Sequence, residues 1–513
     1  MGFSRILSAT LYGLDVKLVQ VEADIRNGLP SFHMVGYLSS EVKEAEERVR
    51  TAILNSGMNL PPIKTVINLS PANIRKRGTL FDLPIAMSIL VSLGLIDEGK
   101  LQDALVIGEL GLDGHVRKVN GVLSIVAKAK EHGCKVCVIP KENEKEAAII
   151  EGIQIVAIKS LKELCGILKE ERELSNRTLV TSESKMIMNR EWKVDFKDVC
   201  GQGMAKRAAE IAVAGRHNLL LLGPPGAGKS MIAKRIPTIL PELTLEESIE
   251  ITKVYSIMGL LDDEQPLIAK RPFREVHHTV TKTALVGGGG YPKPGEISLA
   301  SKGVLFLDEL AEFKKEVLEV LRQPLEERSI KIVRNQGTFG FPADVMLVAA
   351  MNPCPCGNYP DMNQCTCTAY QISSYLNKIS QPFLGRMDIC IEVPKLSYDE
   401  LNDEEGESSE TIRNRIMDAH RIQAERYKGK EFQFNAGLTS TELKKFCALD
   451  KKSQILMKQA FEMLGLSART CHRILKVART IADLDKSENI KLKHLQEAIG
   501  YRMIDKKYWG GGR

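Results

Sequence analysis

Gly223-Pro224-Pro225-Gly226-Ala227-Gly228-Lys229-Ser230 decides how this chain is read. It follows the apolar run Leu219 to Leu222 and precedes Met231 to Arg235, which has helical character. Strand, glycine loop and helix in that order make a Walker A phosphate cradle. Glycines let the backbone curl until its N–H groups face inward onto phosphate oxygens. The helix N-terminus adds partial positive charge at the same place. Lys229 is then placed to meet the β- and γ-phosphates during catalysis, and Ser230 to ligate Mg²⁺. An ordinary glycine turn is the rival reading; the complete pattern between its two flanking elements argues against it.

Working outward, Gly303-Val304-Leu305-Phe306-Leu307-Asp308-Glu309-Leu310 is the second strong signal. Its unbroken apolar run suits a central parallel strand buried on both faces. Open α/β sheets bind ligands at the C-terminal ends of such strands, which is where the two carboxylates fall. Asp308 is expected to hold Mg²⁺ through water, and Glu309 to orient and deprotonate the attacking water. The strand Val345 to Ala350 ends in Met351-Asn352. Asn352 at that tip is read as a γ-phosphate sensor, with a simple turn asparagine as the alternative.

The bulk numbers fit this reading. With 513 residues, 43% hydrophobic and 27% charged, the chain is a soluble globular protein of about three domains. A net charge of +6 permits a polyanion partner without demanding one. The longest apolar run, Leu83 to Ile96, is interrupted by Pro84, Ser88, Ser92 and Gly94, too short for a membrane span. No signal peptide is evident, and eleven cysteines then suggest thiols in a reducing cytoplasm, metal-bound where they cluster. Two pairs do cluster: Cys354-Pro355-Cys356 and Cys365-Thr366-Cys367. Four thiolates at that spacing can close on a structural Zn²⁺; free thiols or a redox pair are the alternatives. Cys134 and Cys137 read as core.

Between the two phosphate motifs lies a long excursion, Leu240 to Ser301, with His277-His278 and the glycine run Gly287 to Gly290. Glycines and prolines there predict an exposed, partly mobile loop. Lys270, Arg271, Arg274, Lys282 and Lys293, with Phe273 and Tyr291 between them, offer either a nucleic-acid surface or a solvated charged loop. Adjacent histidines share no helix face, so they are not read as metal ligands. Ala205 to Ala214 is either a helix over the nucleotide's base or plain core. Phe313 to Glu327 predicts one amphipathic helix bent or ended by Pro324. Ile330 to Val333 and Thr338 to Phe341 predict a hairpin carrying Lys331 and Arg334. Arg386 follows the helix after the sensor strand. It is read as a finger reaching a neighbouring subunit's γ-phosphate, with a pair to Asp388 as the alternative. Arg469 opens the helix Thr470 to Ala482 and is expected to point back into the nucleotide cleft as a second sensor. Arg473, Lys476 and Arg479 follow it as solvated face or DNA contact.

Residues 1–170 alternate β-rich runs with helical stretches. Arg75-Lys76-Arg77-Gly78 leading into Ile85 to Leu93, then Gly108 to Arg117, then Ile139 to Asn143, resemble the proteolytic domain of Lon-type proteases. That family uses a Ser–Lys dyad. By the same alignment Thr79 to Pro84 fills the serine's loop without a serine, and Leu123 falls where the lysine belongs. The domain is therefore read as a fold kept for binding or assembly; Ser88 with Lys118 is the one alternative dyad. Residues 171–192 are polar and charged, as in a linker.

In order along nearly the whole chain, the Lon-like front, Gly223 to Ser230, Gly288 to Leu299, Gly303 to Leu310, Met351 to Gly357 and Ser467 to Asp483 resemble the bacterial magnesium-chelatase-like AAA+ ATPases of the ComM group. The resemblance implies an α/β protein. Its front is Lon-protease-like (ribosomal S5 domain 2-like), followed by a P-loop parallel-sheet core over 193–397 with the Cys-rich insert 354–367. A C-terminal helical lid covers 398–513. It further implies ATP and Mg²⁺ as cofactors, a homo-oligomeric, hexameric ring, and a motor driving branch migration on DNA in recombination. An ATP-dependent protein remodeller and an ATP-switched assembly factor without catalysis are the rival functions. Chelatase subunits are expected to lack the front domain, which argues against metal insertion.

Overall fold

The computed structural model describes residues 2–170, 192–335, 337–396, 406–430 and 432–510. The linker expected over 171–192 lies outside them except for Trp192, as does the acidic run from Asp399 to Glu405. The chain divides into two compact units. The first comprises Met1–Met188, Leu245–Ala269 and Val333–Gly340; the second comprises Asn189–Thr244, Lys270–Ile332 and Phe341–Arg513.

The first unit is built on a seven-stranded mixed sheet of order β3-β4-β2-β1-β5-β8-β9. Its strands are β1 (Phe3–Tyr12), β2 (Asp15–Arg26), β3 (Ser31–Val35), β4 (Lys64–Ser70), β5 (Ala104–Val106), β8 (Val136–Pro140) and β9 (Gln154–Ile158). A short ribbon of β6 (Glu109–Leu110) and β7 (Val116–Arg117) lies apart from it. Alternation sets the register: Val19, Val21, Ala23 and Ile25 of β2 turn inward at every second residue. Most of the longest apolar run forms the helix Asp82–Ser92, every residue of which is buried. Its Ser88 and Ser92 spend their polarity inside. Ser88 Oγ donates to the Ile85 carbonyl, and Ser92 Oγ to Ser4 Oγ and the Ala23 carbonyl.

The first turn of the same helix takes in Asp82 to Pro84 of the stretch Thr79 to Pro84. Asp82, buried, accepts two hydrogen bonds from the Arg48 guanidinium at 2.8 and 2.9 Å. Burial pushes its carboxyl up to about 6 although Arg48 pulls the other way. Thr79 is hydrogen-bonded to Glu109, Leu123 is buried, and Lys118 pairs with Asp263.

The second unit holds a five-stranded, all-parallel sheet of order β11-β12-β15-β10-β16. The strands are β10 (Leu219–Leu222), β11 (Phe273–Val276), β12 (Val304–Leu307), β15 (Met346–Met351) and β16 (Ile389–Glu392). β10, β12 and β15 are buried throughout, as strands covered on both faces should be. β13 (Ser329–Arg334) and β14 (Gly337–Pro342) form the expected hairpin. Among the described residues, five α-helices follow: Ser409–Arg426, Ser440–Phe446, Lys451–Leu464, Ala468–Leu484 and Leu492–Trp509.

Three expectations are corrected here. Phe313 to Glu327 is not one helix but two, Lys315–Glu319 and Arg322–Glu327. Pro324 sits in the first turn of the second, where its missing N–H costs nothing. The glycine run is only partly exposed. Gly288 and Lys293 exchange backbone hydrogen bonds, and a Cβ on Gly287 would lie 2.4 Å from the Lys293 carbonyl oxygen. Glycine is needed there for close backbone packing, and only Gly289 and Gly290 are exposed. Of the basic residues around this loop, Arg271 and Arg274 are tied inward, whereas Lys270, Lys282 and Lys293 are exposed. Arg271 donates to the carbonyls of Pro241, Glu242 and Lys302, Arg274 forks onto Glu296, and Lys282 pairs with Glu316.

Candidate functional site

Parallel strands bring their C-terminal ends to one edge, and the motif residues meet there. β10 runs into Gly223, where a Cβ would lie 2.1 Å from the Val393 carbonyl oxygen, so no larger residue fits. Gly226 and Gly228 adopt φ of +77° and +88°, curling the loop into the helix Lys229–Ile239. Lys229 Nζ donates to the carbonyls of Gly223 and Pro224 at 2.8 and 2.9 Å and to Asn352 Oδ1 at 3.1 Å. Burial lowers its amine to about 8, and the Asp308 carboxylate opposes that shift. Ser230 Oγ donates to Asp308 Oδ2 at 2.7 Å. The hydroxyl and carboxylate expected to share a magnesium ion are thus already in contact. Gln202, on the approach to the loop, donates its amide to the carbonyls of Ala227 and Pro394.

Glu309 follows directly and has φ of +51°. A left-handed glutamate is strained by roughly 1–3 kcal/mol, a cost that clusters at working sites. The Asp308 carboxylate accepts the Glu309 N–H at 2.9 Å, which fixes the turn. The Glu309 carboxylate is left 58% exposed, reachable by water.

Sequence reasoning missed what stands beside it. β11 pairs in register with β12, Val276 against Leu307, so the next two residues, His277 and His278, fall opposite Asp308 and Glu309. His278 Nδ1 lies 3.2 Å from Glu309 Oε2, and the two imidazoles stack with centroids 4.0 Å apart. Adjacent histidines share no helix face, but at the end of a β-rich run before a loop they can stand beside the neighbouring strand's tip.

The cysteines meet as well. Sγ of Cys354 lies 3.4 Å from that of Cys356 and 3.8 Å from that of Cys365, with Cys356 to Cys365 at 3.6 Å. Cys367 completes a set whose sulfurs all lie within 4.8 Å of one another. The Asn358 amide N–H pulls the Cys356 thiol down to about 6. Cys365 and Cys367 are raised: backbone N–H groups favour their thiolates, but burial and the neighbouring sulfurs oppose this and win.

Arg386 and Arg469 are elsewhere. They lie at the N-terminal edge of the same sheet, beside Asn218 and Asp388, which precede β10 and β16. The expectation that Arg469 points into its own chain's nucleotide cleft is corrected. Arg469 Nη2 lies 3.2 Å from Glu326 Oε1, and that same oxygen pairs with Arg386. Asp388 is not the partner of Arg386. It takes Arg473 at 2.8 Å and the Asn218 N–H at 3.0 Å. Burial works against its charge, but Arg473 and His217 hold it well below the usual carboxylate range. These groups line a cleft of about 620 Å³. Of the three basic residues read as solvated face or DNA contact, Arg479 is buried, whereas Arg473 and Lys476 are half-buried and line this cleft. Lys476 donates to the Ala436 carbonyl, and Arg479, buried, binds Asp483 and the carbonyls of Ser487 and Glu488. Arg473 and Lys476 are answered by residues 85 and 40 positions away, Arg479 by residues 4 to 9 positions on.

Sheet order, glycine loop and paired acids define a P-loop chain of AAA+ arrangement. Comparison with known proteins gives the family. Residues 195–401 match magnesium chelatase, subunit ChlI; residues 406–502 match the ChlI C-terminal region; residues 21–143 match subunit ChlI of Mg-chelatase. The competence protein ComM of Haemophilus influenzae is 42% identical over 508 residues, 98% of each chain. The Escherichia coli K12 protein YifB is 41% identical over 99% of this chain and 98% of its own. The chain belongs to the magnesium-chelatase-like ComM family. A peroxisomal Lon protease homolog 2 of Oryza sativa subsp. indica is 28% identical over 180 residues, 32% of this chain and 20% of its own. Since the front region matches a family described as a chelatase subunit, its presence no longer argues against metal insertion. Among the described residues no helix is long and apolar enough to cross a membrane.

Proposed function

We propose that the chain is a Mg²⁺-dependent ATP hydrolase that works as a ring motor on DNA during recombination, not as a protease. One observation carries the hydrolysis: Lys229, Ser230, Asp308, Glu309 and Asn352 converge on one sheet edge. Lys229 and the loop amides of Gly223 to Gly228 grip the β- and γ-phosphates. Ser230 and Asp308 would hold a magnesium ion, which would supply charge neutralisation for the phosphate oxygens. Glu309, exposed and aimed by its strained backbone, takes the proton of the attacking water. Asn352 exchanges its hydrogen bond with Lys229 for one to the γ-phosphate.

Arg386 and Arg469 act on a neighbouring subunit's nucleotide, because they stand at the opposite end of the sheet from their own phosphate loop. Glu326, 50% exposed, holds both guanidinium groups. A γ-phosphate brought by the neighbour replaces that carboxylate with stronger, bidentate contacts. This calls for a head-to-tail ring.

The engagements of the candidate dyad residues support the non-protease reading: Ser88 bonds within its own helix, Lys118 pairs with Asp263, and Leu123 is buried. The DNA step rests on kinship with a competence protein and on the hairpin, where Lys331, Val333 and Arg334 are exposed. ATPase rate measured with branched DNA, single-stranded DNA and unfolded protein tests it. Branched DNA should stimulate turnover, and Lys331→Glu should weaken the stimulation about threefold or more by losing a phosphate contact. Stimulation by unfolded protein alone would favour a protein remodeller. No turnover under any condition would leave an ATP-switched assembly factor.

A further inference from the structure

We propose that Cys354, Cys356, Cys365 and Cys367 bind one Zn²⁺ as a structural tetrathiolate, and that the loop it closes holds the phosphate cradle and Asn352 in working position. The coupling half rests on the ATPase reading above; the metal half does not.

The geometry of the sulfurs is that of a metal site. Tetrahedral zinc with Zn–S bonds of about 2.3 Å needs sulfurs about 3.8 Å apart. The three measured separations, 3.4, 3.6 and 3.8 Å, lie close to that and far beyond a disulfide bond. The Tyr359 N–H donates to Cys354 Sγ at 3.4 Å, the kind of outer contact that fixes a ligating sulfur. Cys354 is buried and the other three are half-buried, so an ion between them would be shielded yet reachable for loading. Four soft sulfurs without an oxygen or imidazole ligand select zinc over magnesium or calcium.

What the loop touches gives it a task. Cys354 is two residues beyond Asn352 on the same outgoing segment of β15. Gly357, at φ +85°, turns against the phosphate loop so closely that a Cβ there would lie 2.3 Å from Pro225 Cδ. Past the turn, Tyr359 packs edge-on against Tyr508 of the last helix, with centroids 5.7 Å apart. A short polar loop has no core of its own to fix these contacts, so a metal cross-link supplies the rigidity. With the loop released, Pro225 loses its backstop and the carboxamide that meets Lys229 loses its anchor. A misplacement of about 1 Å at a phosphoryl-transfer site costs roughly 10²-fold in rate.

Metal content, cobalt spectra and hydrolysis of the full-length chain test both halves. Purified under reducing conditions, the protein should carry about one zinc per chain. Replacing it with Co²⁺ should give thiolate-to-cobalt charge transfer in the near ultraviolet and the visible bands of a tetrahedral site. Cys356→Ser with Cys365→Ser should abolish both. Gly357→Ala keeps all four thiols: it should retain zinc and the cobalt spectrum, bind ATP within about threefold of wild type, and lose at least tenfold in kcat. Should that variant lose its cooperative melting, wild-type protein stripped by a chelator replaces it, and zinc but not magnesium should restore kcat. Reduced wild-type chain with neither zinc nor a cobalt spectrum overturns the site. Undiminished kcat in folded, zinc-loaded Gly357→Ala, or in zinc-free stripped protein, overturns the coupling. Zinc-loaded wild type that hydrolyses no ATP overturns the ATPase reading and leaves the metal site standing.

Discussion

The two edges of the parallel sheet in the second unit both gather charge, and they do it differently. At the C-terminal edge one cation, Lys229, is surrounded by neutral acceptors, and two adjacent carboxylates face outward with a serine hydroxyl. At the N-terminal edge guanidinium groups converge on acids. Arg216, Arg328 and Lys302 surround Asp344, whose carboxyl they hold down to about 2 against the effect of burial. Arg473 holds Asp388. Those acids are mostly buried, and their pairs brace the fold. Glu326 is the exception: half exposed, with two arginines on one oxygen. A buried ion pair reports on folding, whereas two cations sharing an exposed anion report on a ligand still to come. One edge therefore offers an acceptor-lined cradle, and the other offers paired arginines. On the proposed function, each is half of one site.

The sharpest way to break this comparison is at Glu309. Glu309→Gln removes the proton acceptor alone, so turnover should fall about 10³-fold or more with ATP affinity within a few-fold of wild type. A variant hydrolysing at the normal rate would remove Glu309 from its role and leave the C-terminal edge a binding site only.

Next in size are the arginines. Arg386→Ala should cost roughly 10³-fold in kcat, as loss of a finger does, while a dispersed subunit still binds ATP as tightly as wild type. Arg469→Ala should follow the same pattern at about tenfold, since its guanidinium is the more exposed of the two. Weakened ATP binding by dispersed Arg469→Ala subunits would return Arg469 to its own chain's cleft.

The smallest effect is one of pH. The Lys229 amine of the free site titrates near 8, below its ordinary range. A bound triphosphate raises it again by opposite charge. Below about pH 7 the amine is charged in both states and affinity should be flat. Above 8 binding must take up a proton, so ATP affinity should fall as pH rises, by at most about tenfold per unit. Isothermal titration with Glu309→Gln across that range measures this without hydrolysis. A flat profile would mean that Lys229 stays charged in the free site.

How far the chain could be read before folding follows the same divide. The phosphate loop, the acids of β12 and the two CxC pairs are local patterns, whose chemistry is set by neighbours a few residues away. Arg469 was legible as a functional arginine but not as a partner of Arg386, because they meet through Glu326, 143 residues from Arg469 in sequence. Arg271 and Arg274 read as nucleic-acid surface or solvated loop because the carbonyls and the carboxylate that tie them lie 22 to 31 residues off. His278 was missed because its role follows from strand register, which no single segment encodes. In the first unit the buried helix Asp82–Ser92 was plain from its composition; Arg48 as the partner of Asp82 was not.

Mixing two dead variants tests the shared site most directly. Lys229→Ala lacks one half and Arg386→Ala the other. Assembled together at equal amounts, they should recover about a quarter of wild-type ATPase, since head-to-tail assembly lets some junctions join two intact faces. A mixture as inactive as either variant alone would contradict the account and put the whole of the chemistry within a single chain.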